Sequence, residues 1–152
     1  MRVVGVDVGA RRIGLAVSDP TATLARPFGC VTVAALDATA VARVGAEVDR
    51  LRAEEDGVAA LVVGLPRRLD GQPNDMTAKV QAFADSLGRA CALPVVLQDE
   101  RLSSHEAETL LAKRIKDWRE RKRALDAAAA AVILQDYLDA HQPPPADEDR
   151  DA

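Results

Sequence analysis

Aromatic residues are scarce in this 152-residue chain: one Trp, one Tyr and two Phe, or 3% of the sequence. A platform of rings on which bases stack is therefore not its means of recognition. Cys30 and Cys91 stand alone, which excludes a disulfide framework and a cysteine-built zinc site. Each reads as a small buried hydrophobe. His105 and His141 lie far apart and read as surface residues, not as a zinc ligand set. No apolar run approaches the ~20 residues of a membrane span. The N-terminus enters a strand at once, with no signal-peptide pattern. The expectation is a cytoplasmic protein without a membrane partner.

What is present is a balanced globular composition, 48% apolar and 29% charged, in a length that suits one domain with a true core. The net charge of −4 argues at first against nucleic acid, but its distribution argues the other way. The last twelve residues carry Asp147, Glu148, Asp149 and Asp151 against Arg150, a net of −3. Lys113 to Arg123 holds seven cations against Asp117 and Glu120, a net of +5. Such a block is either solvated surface or a phosphate-binding segment.

Periodicity predicts strands at 2–8, 13–18 and 27–33, the second antiparallel to the first across a short turn. Asp37 caps a helix to about Glu55, with Val41, Val44, Val48 and Leu51 on one face. A buried strand at 59–65 follows, parallel to the first, then a polar loop at 66–74. A second helix spans 75–90, with Val80, Phe83, Ala84 and Leu87 inward, and a fifth strand 94–98. Ser103 or Ser104 caps a third helix, 113–120 is a mobile basic segment, and a last helix runs from Arg121 to Ala140. The order predicts an α/β fold, a mixed five-stranded sheet with three antiparallel then two parallel strands, flanked by helices. The domain spans 1–140, and the Pro-rich acidic stretch 141–152 reads as a disordered tail.

Within this frame Asp7 is out of place. It sits among valines in Arg2–Val8, where an ionised carboxylate costs several kcal/mol unless compensated. A bound cation is one compensation. Ligands of open α/β sheets gather at the carboxyl ends of parallel strands. Asp99 and Glu100 follow the fifth strand at that same edge, and alternation points only one of them at the cleft. Asp126 is the lone charge in Leu125–Leu134 and shares a helix face with Ala129, Ala130, Ile133 and Tyr137. It is either a first-turn Asp or a third converging carboxylate. Three carboxylates at one edge suit hard divalent cations such as Mg²⁺. Two such ions ~4 Å apart promote in-line displacement at phosphorus.

Gly5–Asp19 (GVDVGARRIGLAVSD) resembles the opening motif of the bacterial YqgF family, also called RuvX, the Holliday junction resolvases of the RNase H-like superfamily. Val62–Pro66 with Asp70-Gly71 is similar to its GLP…DG loop, and Asp99–Ser104 to its DERLS/T stretch. Lys122–Gln135 is similar to its basic, Asp-bearing final helix. The resemblance covers residues 1 to about 140 and omits only the tail.

The resemblance implies an RNase H-like fold and a nuclease with Asp7, Glu100 and Asp126 as catalytic and metal-binding residues. It thereby chooses Glu100 over Asp99. It implies Mg²⁺ or Mn²⁺ and products bearing a 5′-phosphate and a 3′-hydroxyl. Three carboxylates at one sheet edge give the expectation that Asp7 bridges two ions, with Glu100 and Asp126 each completing one coordination shell. The substrate it implies is precursor rRNA, in 5′-end processing of pre-16S rRNA, or alternatively a four-way DNA junction. Catalytic carboxylates see phosphate and do not distinguish the two. Arg11, Arg12, Arg67, Arg68, Arg101, Arg121, Lys122 and Arg123 are the candidate nucleic-acid contacts. Gly9 reads as a turn residue and Gly14 as a packing residue. Trp118 either wedges at a junction or docks on the protein itself. A junction resolvase cuts symmetrically, which favours a homodimer. Two other functions compete: an actin-like phosphate-handling ATPase, for which one domain is too small, and a catalytically silent ribosome-maturation factor.

Overall fold

Alternating valines make β1 a strand with two unlike faces. The structure, a computed structural model, describes residues 1–66, 71–99 and 118–141, and for 118–122 the backbone alone. The elements are β1 (Arg2–Val8), β2 (Arg12–Ser18), β3 (Ala25–Thr32), α1 (Ala38–Arg52), β4 (Val58–Leu65), α2 (Thr77–Cys91), β5 (Val95–Asp99) and α3 (Trp118–Ala140). They form one five-stranded sheet in the order β3-β2-β1-β4-β5. β1, β2 and β3 pair antiparallel, while β4 is parallel to both β1 and β5. The expected mixed sheet is therefore the one observed.

Val4, Val6 and Val8 pack on one face with Val44, Val48 and Leu51 of α1 and Val80, Phe83 and Leu87 of α2. Val3, Ala16 and Val62 face the other way, onto Ala130, Ile133, Leu134 and Leu138 of α3. Burying a side chain of this size contributes roughly 1.5–3 kcal/mol, so both faces are needed for a stable sheet. α3 lies unusually close to the sheet because glycines meet it. A Cβ on Gly5 would stand 2.8 Å from the Leu134 Cβ and 3.0 Å from the Ala130 carbonyl oxygen. Gln135 clamps the helix to the β2–β3 connection: its Oε1 accepts from the Ala25 N–H at 2.9 Å, and its Nε2 donates to the Thr23 carbonyl at 3.0 Å.

Element ends differ from the pattern where side chains redirect the backbone. β3 begins two residues early, at Ala25, because Asp19 folds the preceding turn: its Oδ1 accepts from the N–H groups of Thr23 and Leu24. α1 stops at Arg52, three residues short of Glu55. α2 starts at Thr77, not Asp75, where the Asn74 Oδ1 accepts from the Met76 and Thr77 N–H groups. β5 includes Asp99, which pairs with Leu65, so that residue ends the strand and does not follow it. α3 starts at Trp118, so 118–120 are helix and not part of a separate basic segment. The helix expected from Ser103 or Ser104, residues 113–117 and the tail from 142 lie outside the described residues.

Candidate active site

Strand alternation places Asp7 on the α3 face, two residues beyond Gly5, which lies directly beneath that helix. It is half-buried, and its partner across the β1–β2 ladder is Gly14. Gly14 in turn pairs with Cys30 of β3. Asp7, Gly14 and Cys30 thus form a row on one face of the sheet, with no side chain at its centre.

The backbone of α3 fills that gap. A Cβ on Gly14 would stand 1.9 Å from the carbonyl oxygen of Asp126 and 2.4 Å from its carbonyl carbon. Asp126 is therefore seated on the immediate strand neighbour of Asp7. Because α3 begins at Trp118, Asp126 is an interior helix residue, and a first-turn dipole role is ruled out. Ala129, Ala130 and Ile133, which share its face, are buried.

The Asp126 carboxylate is held by two side chains. Arg12 Nε lies 2.8 Å from Oδ2, and the Cys30 Sγ donates to the same oxygen at 3.6 Å. Burial, with the Asp126 charge adding to it, pushes the Cys30 thiol up to about 11. It stays a neutral S–H donor and does not become a thiolate ligand. Cys30 is thus a member of the site that its sequence context concealed. The signal that would have found it is its register with Gly14 and Asp7. Gly14 is covered by the helix, and a Cβ on Gly9 would meet the Arg12 carbonyl oxygen at 2.7 Å. Both glycines therefore serve packing and turn geometry, not phosphate approach. The Gly9 N–H closes that turn on the Arg12 carbonyl at 2.9 Å.

The parity of β5 bears on the third carboxylate. Val95 packs with the core on the α1–α2 face and Val96 with the core under α3. Asp99 shares the parity of Val95 and so belongs to the face opposite Asp7. Glu100 lies outside the described residues, as do Arg67, Arg68 and Arg101, and the side chains of Trp118, Arg121 and Lys122. The described cations divide between the two faces. Arg12 pairs with Asp126, and the charge of Arg123, like that of Arg12, acts on Cys30. Arg11 instead lines a cavity of about 770 Å³ on the α1–α2 side, with Leu36, Met76, Lys79 and Phe83. Neither Asp7 nor Asp126 lines that cavity, so its size does not make it the reaction site. His141 is exposed, stacked on Tyr137. Among the described residues no helix is long and apolar enough to cross a membrane.

Two described carboxylates on one face offer hard oxygen donors, while the one sulfur beside them, Cys30, is held as a neutral thiol, and that donor chemistry suits Mg²⁺ or Mn²⁺. Among the described residues no cluster of three ligating side chains is present.

Comparison with known proteins bears on the fold and the family. A relative from Anaeromyxobacter sp. (strain Fw109-5), named "Putative pre-16S rRNA nuclease", is 44% identical over 139 residues, 91% of this chain and 97% of its own. One from Chloroflexus aggregans with the same name is 40% identical over 142 residues, covering 93% and 96%. The fold matches that of Thermus thermophilus RuvC in complex with a Holliday junction substrate, with a TM-score of 0.53, 19% identity, and 92% and 94% of the two chains covered. It also matches the Fowlpox virus resolvase in complex with Holliday junction DNA, with a TM-score of 0.55, 14% identity, and 94% and 100% covered. The sheet is thus RNase H-like. The model of one family, RuvX, Holliday junction resolvase, matches residues 1–140. The chain belongs to the RuvX family.

Proposed function

We propose that this protein is a divalent-metal-dependent endonuclease of structured nucleic acid, with the 5′ end of pre-16S rRNA as its substrate. The observation that carries the reading is the seating of Asp126 on Gly14, the strand partner of Asp7. The backbone of a carboxylate residue in a helix interior thereby rests on the strand neighbour of a carboxylate residue in a valine strand. Neither would be retained for packing, since each is costly to desolvate. The names of the relatives favour the rRNA substrate.

Asp7 and Asp126, with Glu100 as the third member, would hold Mg²⁺ or Mn²⁺, two ions in the full site. The bound metal supplies Lewis-acid polarisation of the phosphate and activation of water. The protein's own part is positional. Gly14 lets α3 bring Asp126 down, the β1–β2 turn fixes Arg12, and Cys30 holds one carboxylate oxygen by a neutral donor. Arg12 and Arg123 border the site and would bind substrate phosphates. Arg67, Arg68, Arg101, Arg121 and Lys122 would extend that contact. The expected products carry a 5′-phosphate and a 3′-hydroxyl, and the site of action is the cytoplasm.

The family description favours a second substrate, the four-way DNA junction. Symmetric cleavage of a junction calls for a two-fold dimer. The deciding experiment is side-by-side cleavage of a pre-16S rRNA fragment, junction DNA, plain duplex and single-stranded RNA. Wild type, Asp7→Asn and Asp126→Asn are compared with Mg²⁺, with Mn²⁺ and without metal. Each variant is expected to lose at least ~10²-fold in turnover. Variants that cleave within a few-fold of wild type would sink the site, and cleavage without metal would sink the cofactor. Sedimentation with junction DNA tests the dimer.

A further inference from the structure

Asp126 carries its charge inside a helix packed on the sheet, and its side chain is only 20% exposed. A carboxylate so shielded from water needs a cation or a donor beside it. Among the described residues the cation bonded to Asp126 is Arg12, whose Nε reaches Oδ2 at 2.8 Å from the start of β2. Arg12 shares the strand parity of Gly14 and Ala16, so the fold aims it at α3. Its side chain is 42% exposed, so the pair is reached by water and weakly held.

We propose that Arg12 is a positioning residue, the resident counter-cation of Asp126. It holds the carboxylate while the site is metal-free, yields it to a divalent cation, and then takes a phosphate of the substrate. The inference rests on Asp126 being a metal ligand, as proposed above. The chemistry favours exchange over permanent pairing. A guanidinium does not lose its proton, so only a competing cation can release it. A divalent ion bound by several carboxylates outcompetes one exposed monovalent partner. The freed guanidinium is suited to the phosphate that arrives with the metal. Cys30 keeps its hold on Oδ2 by a neutral contact, so Asp126 stays in place during the exchange.

Mn²⁺ titration of the full chain, followed by the resonance signal of the free ion, tests the first half. Arg12→Gln is expected to bind Mn²⁺ about two- to five-fold more tightly than wild type, the weight of an exposed ion pair. Arg123→Gln, which removes a nearby cation that is not bonded to Asp126, is the control and is expected to change affinity less. Thermal unfolding verifies that each variant is folded. Equal or weaker Mn²⁺ binding by Arg12→Gln overturns the proposal, and so does an equal gain in Arg123→Gln. Asp126→Asn separates the two readings: if it binds Mn²⁺ like wild type, the metal site itself is wrong. The second half is read from the salt dependence of junction-DNA binding, with and without Ca²⁺. Arg12→Gln should lower the slope by about one with Ca²⁺ and leave it unchanged without. Equal slope changes in both conditions overturn the transfer to phosphate.

Discussion

Replacing Gly14 by Ala tests whether the site is built by the close approach of α3. The added methyl would stand 1.9 Å from the Asp126 carbonyl oxygen, 2.4 Å from its carbonyl carbon and 3.1 Å from the Ala127 nitrogen. All three are backbone atoms, so no rotamer change relieves the clash. Reaching ordinary contact at 3.4 Å requires the helix to retreat by about 1.5 Å at this point. Gly5 also seats the next two turns of α3 closely, with its Cβ position 2.8 Å from the Leu134 Cβ and 3.0 Å from the Ala130 carbonyl oxygen, so a local tilt strains that seat as well. Overpacking of this kind costs about 1–3 kcal/mol, and the rigid neighbours place it at the upper end. A domain with 5–15 kcal/mol of stability remains folded. Asp126 is then carried away from Asp7, and a displacement near 1 Å is worth about 10²-fold in rate. Urea unfolding by circular dichroism and Mg²⁺-dependent cleavage report the two effects. Gly29→Ala is the control in the neighbouring strand, with nothing within 4 Å of its Cβ, and is expected to be neutral or up to ~1 kcal/mol more stable. A Gly14→Ala protein that unfolds like wild type and cleaves within a few-fold of it would refute the argument.

Four further outcomes follow from the described contacts. Asp37→Ala removes the carboxylate that accepts from the Ala40 N–H at 3.0 Å, and should lower stability by about 1 kcal/mol in urea unfolding. Arg2 is buried, donating to the Leu51 carbonyl at 2.9 Å and to Glu54 at 2.8 Å, so Arg2→Ala should cost about 2 kcal/mol. Glu54→Gln should cost under ~1 kcal/mol, because Glu54 itself is 58% exposed. The Thr21 hydroxyl first, then the Leu24 and Thr23 N–H groups, lower the Asp19 carboxyl from 3.8 to about 2. A depressed folded value means that its stabilisation is complete above pH 3.8 and is lost as pH falls through 2. Carboxyl NMR should show that late titration, and Asp19→Asn should remove the acid-side loss.

Asp7 was conspicuous in the sequence because a charge among valines is costly wherever the strand goes. Asp126 was conspicuous for the same reason, once helical periodicity put it on an apolar face. Whether it was a cap residue was not legible, because the helix start at Trp118 lies in a charged stretch without a clear boundary signal. Cys30 was misread as a plain core residue. Its neighbour Asp126 is 96 positions away, and local sequence carries no trace of that contact. Arg12 and Arg11 looked equivalent, yet strand parity sends the first to Asp126 and the second to the cavity beside α1 and α2.

The sequence by itself determined the strand and helix order, the family, and the identity of two costly carboxylates. Those follow from local periodicity and from desolvation, which act on short stretches of chain. Tertiary structure alone decided that Asp126 rests on the strand partner of Asp7, that Arg12 and Cys30 hold it, and that Asp99 faces away. Those are matters of register and of which faces meet, and a one-residue shift in either would have reversed each of them.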